Sequence, residues 1–248
     1  MDGEGMENQN TKIEIIKGNA MDVLRGDIGH FDAVITDPPY ASGNILAAKQ
    51  ASTSQKYTHT KKQCPFPDFL GDGMDQRAWA HMMREILEAA REKSNPGAAL
   101  AVFIDWRNLP TLTDAIQWAG WNLRGVAVWD KLTSRPQRGR FRQQAEFLVW
   151  GSNGSMPAPK DAPCLPGVFR SANVQGKERI HQTQKPIEVM RQIVKITKPG
   201  GRILDPFAGS GSTLEAARLE GYDGLGIEAH NLIACSAAER LNVSMEVV

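Results

Sequence analysis

Residues 203–214 read Ile203-Leu204-Asp205-Pro206-Phe207-Ala208-Gly209-Ser210-Gly211-Ser212-Thr213-Leu214. Two apolar residues, an Asp-Pro turn and a pair of glycines lead into Leu214, Ala217 and Arg218. That order predicts a strand, a tight turn and a helix N-terminus. Ser212 and Glu215 have the spacing of a capping box at that helix start. Such a turn lets a ligand approach the backbone closely. Three rival readings fail by letter. A dinucleotide fingerprint needs glycine at position 214, which is Leu, and a phosphate loop needs lysine where Ser212 stands. A nucleophile elbow sets each glycine one residue away from its serine, whereas Gly209 and Gly211 flank Ser210 directly. An adenosyl group without phosphates fits the loop best.

Outward from this element, further short apolar runs at 13–16, 33–35, 100–104, 126–129, 147–150 and 224–227 read as buried strands. Trp79, Met82, Met83, Ile86, Leu87 and Ala90 share one helical face, as do Ile187, Met190, Ile193 and Val194, with Pro199-Gly200-Gly201 as a stop. Strands alternating with helices predict an α/β fold, a seven-stranded, mostly parallel sheet with helices on both faces. Residues 1–248 are expected to form one domain. The stretches 41–73 and 151–182 are polar or rich in Pro and Gly, and are expected to be functional loops.

Net charge is +1, so affinity for a polyanion would have to come from a local patch. Cys64, Cys164 and Cys235 lie far apart, which predicts reduced thiols and a cytoplasmic setting. No close Cys or His pair joins Cys64, Cys164, His59 and His181 into a zinc motif, and no metal is expected. The longest apolar run, 98–104, is far below membrane-spanning length.

Asp37-Pro38-Pro39-Tyr40 follows the run 33–35. This is the carboxyl end of a strand, where open α/β sheets place ligands. Two prolines fix the backbone and remove two donors, leaving a stiff turn that offers acceptors and one ring. The amine of a nucleobase is a poor nucleophile because its lone pair is delocalised into the ring. A carboxylate at Asp37 and the Pro38 carbonyl, accepting its two N–H bonds, would favour the pyramidal nitrogen. Tyr40 could stack on an extruded base. A simple Asp-Pro turn is the competing reading. Glu228 closes the run 224–227, a helix beyond the glycine loop, where a ribose diol is held or where a strand end meets solvent. Lys131, Arg135, Arg138, Arg140 and Arg142 cluster around Pro136 and Gly139, as a phosphate-binding loop or a solvated one.

Asp-Pro-Pro-Tyr first and Phe207-x-Gly209-x-Gly211 later resembles the beta group of S-adenosylmethionine-dependent DNA amino-methyltransferases. The run 181–186 is similar to that family's motif before the cofactor strand, with Gln182 in place of its proline. Gly18-Asn19-Ala20 is similar to its Gly-Asp segment, with Asn19 replacing the acid. The runs 98–105, 129–131 and 146–150 are similar to its middle motifs, so the resemblance covers nearly the whole chain.

The resemblance implies a Rossmann-like class I methyltransferase fold, S-adenosylmethionine as cofactor and double-stranded DNA as substrate. It implies transfer to adenine N6 at a specific site, with cytosine N4 as the alternative, in a restriction-modification setting. Asp37, Pro38, Pro39 and Tyr40 become the catalytic residues. Asn19, Asp37, Asp205, Pro206, Phe207, Ala208, Gly209, Ser210, Gly211, Thr213 and Glu228 become the cofactor pocket, with Thr183 and Lys185 toward the methionine carboxylate. Residues 41–73 and 151–182 become candidate recognition segments. Methylation of a protein glutamine would carry the reverse motif order and Asn at the first position. A silent DNA-binding subunit would not need Asp37 and an intact loop. Homodimerisation stays open.

Overall fold

The computed structural model describes residues 11–40, 74–133, 136, 138–156, 158, 160, 162–172 and 185–248. The seven apolar runs become β1 (Ile13–Lys17), β2 (Phe31–Thr36), β3 (Ser94–Ile104), β4 (Asn122–Asp130), β5 (Ala145–Ser152), β7 (Arg202–Asp205) and β8 (Asp223–Glu228). Two short strands join them at the sheet edges, β6 (Val168–Arg170) and β9 (Met245–Val247), so the sheet has nine strands rather than seven. β6 falls within 151–182, so that stretch is not wholly loop; 41–73 lies outside the described residues. The strand order is β6-β4-β5-β3-β2-β7-β8-β1-β9. β5 runs antiparallel to β3 and β4, and the other pairs are parallel.

Helices cover both faces. On one face α1 (Ala20–Arg25), α2 (Gln76–Glu92) and α3 (Leu109–Trp118) pack on Val34, Leu100, Val102 and Leu204. Asp75 starts α2 by accepting from the Arg77 and Ala78 amides, and Trp79, Met83, Ile86, Leu87 and Ala90 form its buried stripe. On the other face α4 (Ile187–Ile193), α5 (Ser212–Leu219) and α6 (Asn231–Leu241) pack on Ala33, Ile35, Ala101, Phe103 and Ile203. The central strand β3 is buried on both sides from Ala98 to Ile104, which is why it reads as an unbroken apolar run. Truncating Leu100 to Ala there would cost about 2–5 kcal/mol.

β2 leads through α2 to β3 on one side of the sheet, and β7 leads through α5 to β8 on the other. β2 and β7 are neighbours, with Val34 opposite Leu204. The order of connection therefore reverses between these two parallel strands, the point beyond whose carboxyl ends open α/β sheets place their ligands. Thr36 Oγ1 donates to Asp205 Oδ1 at 2.6 Å and ties those two ends together.

Candidate active site

The Asp37–Tyr40 turn leaves the end of β2 in a fixed course. Trp79 Nε1 donates to the Pro39 carbonyl at 2.6 Å, and Asn108 Nδ2 donates to the Tyr40 carbonyl at 2.5 Å. Among the described residues, the Pro38 carbonyl accepts no hydrogen bond. Two carbonyls of the turn, those of Pro39 and Tyr40, are thus held, while the Pro38 carbonyl keeps its lone pairs free among the described residues.

Four side chains meet in front of the turn. The Tyr40 hydroxyl oxygen lies 2.6 Å from Asp37 Oδ1 and 2.5 Å from Glu146 Oε1. Its single proton serves one of these two oxygens, so the other approach needs a proton on a carboxyl. Lys185 Nζ donates to Asp37 Oδ2 at 2.5 Å, lies 2.9 Å from Glu146 Oε1, and sits 4.9 Å from the centre of the Phe103 ring. Lys131 Nζ approaches Glu146 Oε2 at 3.5 Å. Burial raises the Asp37 carboxyl above its ordinary value against the pull of Lys185, and Glu146 adds to the rise. Burial acts on Glu146 too, but Lys185 and Lys131 outweigh it and hold that carboxyl below its ordinary value. The shared proton therefore belongs to Asp37 before Glu146. Burial disfavours the Lys185 charge, yet Asp37 and Glu146 outweigh it and keep the ammonium above its ordinary value. Burial and the same two carboxyls push the Tyr40 phenol far up, so it stays a neutral hydroxyl.

Glu146 was not among the residues expected here. It is the second residue of β5, and because β5 runs antiparallel, its first residues lie at the carboxyl edge of the parallel strands, with Glu146 opposite Trp129 and Phe147 opposite Ile104. Two expected residues are drawn into this cluster. Lys131, expected in the phosphate-binding loop, is ion-paired to Glu146 with only 20% of its side chain exposed. Lys185, expected toward a methionine carboxylate, is here matched by the carboxyls of Asp37 and Glu146.

The glycine loop follows β7, the strand beside β2. Gly209 and Gly211 have φ of +52° and +80°, a region that L side chains rarely adopt. A Cβ at Gly211 would meet Leu241 at 2.9 Å, so this glycine lets α5 approach α6. A Cβ at Gly209 would meet nothing nearer than 3.9 Å, so open space lies over that residue. Gly211 takes the cap position, which makes Ser212 the first helical residue; the expected capping box is not formed, and Glu215 pairs with Arg218 instead. Asp205, Pro206, Ala208, Ser210 and Thr213 are buried beneath the loop, while Phe207 and Gly209 are partly open. Asp205 accepts from Thr36 and from the Phe207 amide at 3.1 Å, and its burial lifts the carboxyl to about 6.

Glu228 sits at the end of β8 beside this opening. Its Oε2 accepts from the Gly209 amide at 3.0 Å and its Oε1 from the His230 amide at 2.8 Å. Each oxygen keeps a lone pair for a further donor, and burial raises the carboxyl. Ser212 Oγ, at the start of α5, and His230 Nδ1, two residues after Glu228, are buried without a partner among the described residues. A cradle over glycine, a held carboxylate and orphaned polar atoms fit an adenosyl group. Asn19 caps α1 by accepting from the Met21 amide at 2.9 Å, next to Gly18, whose amide donates to the Glu228 carbonyl. Arg138, Arg140 and Arg142 are exposed in the loop joining β4 to β5; Arg135 and Thr183 lie outside the described residues. Among those residues no group of three His, Cys, Asp or Glu could hold a metal, and no helix is long and apolar enough to cross a membrane.

Known proteins resemble this chain in sequence and in fold. YubD, a protein of Escherichia coli (strain K12) named as a methylase, is 27% identical over 216 residues, covering 86% of this chain and 83% of YubD. The crystal structure of the M1.HpyAVI–SAM complex superposes with a TM-score of 0.69 at 23% identity, over 93% of this chain and 100% of that one. PvuII DNA methyltransferase, described as cytosine-N4-specific, gives 0.68 at 15% identity over 94% and 89%. The family described as DNA methylase, of N6/N4 type, matches residues 31–239. This chain, with its Asp-Pro-Pro-Tyr turn after β2 and its glycine loop after β7, belongs to the N6/N4 DNA methylase family.

Proposed function

We propose that this chain transfers a methyl group from S-adenosylmethionine to the exocyclic N6 amine of adenine at a specific site in double-stranded DNA. One observation carries the reading: the Asp37 turn and the Gly209 loop leave the carboxyl ends of two adjacent parallel strands, which the Thr36–Asp205 bond ties together.

S-adenosylmethionine, when bound, supplies an electrophilic methyl group on sulfur. Glu228 would hold the ribose diol, and Phe207 and Gly209 would line the adenosyl pocket. Asp37, with its proton gone, would accept one N–H of the target amine and the Pro38 carbonyl the other, concentrating the lone pair on nitrogen. As the N–C bond forms and the sulfur–methyl bond breaks, with its electron pair left on sulfur, the amine loses one proton, which Asp37 would take. Glu146 would retain Lys185 while Asp37 turns to the amine. Tyr40, tethered through its hydroxyl, would offer its ring to the extruded base. The work is positioning and electrostatics. Asp before Pro-Pro-Tyr supports adenine, and the likeness to a cytosine-N4 enzyme supports the second reading, transfer to cytosine N4.

The test is methylation of plasmid DNA by wild type and Asp37→Ala, read by methylation-sensitive sequencing. N6-methyladenine at one recurrent site, absent with the variant, supports the proposal. N4-methylcytosine selects the second reading. No methylation by the wild type overturns both.

A further inference from the structure

Phe141 is 99% exposed, more than any other large apolar side chain among the described residues. It lies in the β4–β5 loop between Arg140 and Arg142, two residues after Gly139, which turns at a φ of +67°. Phosphate contacts account for the arginines. They do not account for an aromatic ring held in water between cations.

The footing of the loop matters more than its composition. The ladder of β4 and β5 continues past the strands: the Lys131 amide donates to the Gln144 carbonyl at 2.9 Å, and Gln144 Nε2 donates to Asp130 Oδ1 at 2.9 Å. The feet of the loop are thus fixed, and they carry Lys131 and Glu146 into the carboxyl cluster. Phe141 is five residues from Glu146, within about 17 Å even if that stretch were fully extended. The loop is therefore anchored beside the cluster that holds Asp37, within reach of a duplex whose base enters there.

Taking a base out of the stack leaves a gap between its two former neighbours. A planar apolar side chain entering that gap restores the stacking on both sides. We propose that Phe141 inserts into the base stack of duplex DNA at the position vacated by the target base, with Arg138, Arg140 and Arg142 holding the adjoining phosphates. This rests on the DNA methyltransferase reading given above.

The experiment compares Phe141→Ala and Phe141→Trp with the wild type. The substrates are synthetic duplexes carrying the site mapped on plasmid DNA, with the target base paired or facing an abasic position. Single-turnover methyl transfer by Phe141→Ala should fall roughly tenfold or more on the paired duplex and stay near wild type on the abasic one. Phe141→Trp should keep most of the activity on both. Wild-type rates on the paired duplex, or an equal loss on both, would overturn the insertion. So would loss of self-association on sedimentation with an unchanged ratio between the two duplexes, which would assign the ring to an interface with a second copy. Absence of methyl transfer by the wild type itself overturns the methyltransferase reading and takes this proposal with it.

Discussion

Lys185 Nζ lies 2.9 Å from Glu146 Oε1 while donating to Asp37 Oδ2, so one buried ammonium is divided between two carboxyls 109 residues apart in the chain (146 against 37). Removing it would leave two acids facing each other in a poorly solvated pocket. Lys185→Met should lower stability by about 3–5 kcal/mol in urea titration, because the carboxyls lose their counter-charge. Lys185→Arg keeps the charge and should recover most of that loss. Equal stability of the Met variant and the wild type would show that the pairing contributes nothing.

The pH dependence of catalysis follows from Asp37. Burial raises this carboxyl, and only its deprotonated form accepts from an amine. The rate of methyl transfer should therefore fall as pH drops through that raised value, about tenfold per unit once below it. Lys131→Ala weakens the hold on Glu146, leaves Lys185 more engaged there, and should move this inflection upward with little change in the salt dependence of DNA binding. A profile flat through the acid range would remove Asp37 from the proton inventory.

Asp205 gives a stability prediction of definite sign. Its folded value is about 6 against an ordinary 3.8, so folding favours the protonated carboxyl. The associated stability is present below the ordinary value and is lost as pH rises through about 6, amounting to about 3 kcal/mol. Asn can still accept from Thr36 and Phe207, with Thr213 rotating its hydroxyl to accept. Asp205→Asn should thus gain on the wild type as pH rises from about 4 through about 6 and hold that gain above it, measured by urea midpoints. A constant difference across that range would mean the carboxyl is not perturbed.

Gly209 tests the cofactor cradle. Valine there meets an unfavourable positive φ, and its branches enter the open space above the loop. Gly209→Val should abolish S-adenosylmethionine binding in calorimetry, at a stability cost of about 1–3 kcal/mol. Gly209→Ala should bind weakly with a smaller loss of stability. Unchanged affinity in both would place the cofactor elsewhere.

The arginine loop is read through salt. Replacing Arg138, Arg140 and Arg142 with Ala should weaken duplex binding across sequences. The plot of log affinity against log salt should also flatten, by roughly one unit of slope for each phosphate no longer neutralised. S-adenosylmethionine affinity should not move. An unchanged slope would leave this loop without a role in binding.

Legibility in the sequence tracked burial. The runs that became β1–β5, β7 and β8 are apolar because both faces of the sheet are covered. β6 and β9 have three residues each and are mostly exposed, so no apolar run marks them. Asp37, the glycine loop and Glu228 were readable because each follows a parallel strand. Glu146 was not, since an antiparallel strand brings its beginning, not its end, to the site. The spacing of charges did not tell which cation turns inward, which is why Lys131 was grouped with the arginines. The Ser212–Glu215 spacing misled because Gly211, with its positive φ, had already taken the cap.

The bond between Thr36 and Asp205 joins residues 169 positions apart. On a ribosome adding 5–20 residues per second, β2 is made roughly ten to thirty seconds before the strand that completes its pairing. Through that interval one edge of the apolar run Phe31–Thr36 waits without its partner, open to any other strand in the cell. The same junction that ties the two strand ends makes the nascent chain a client for chaperones, and a high expression rate should fill inclusion bodies before it fills the soluble fraction.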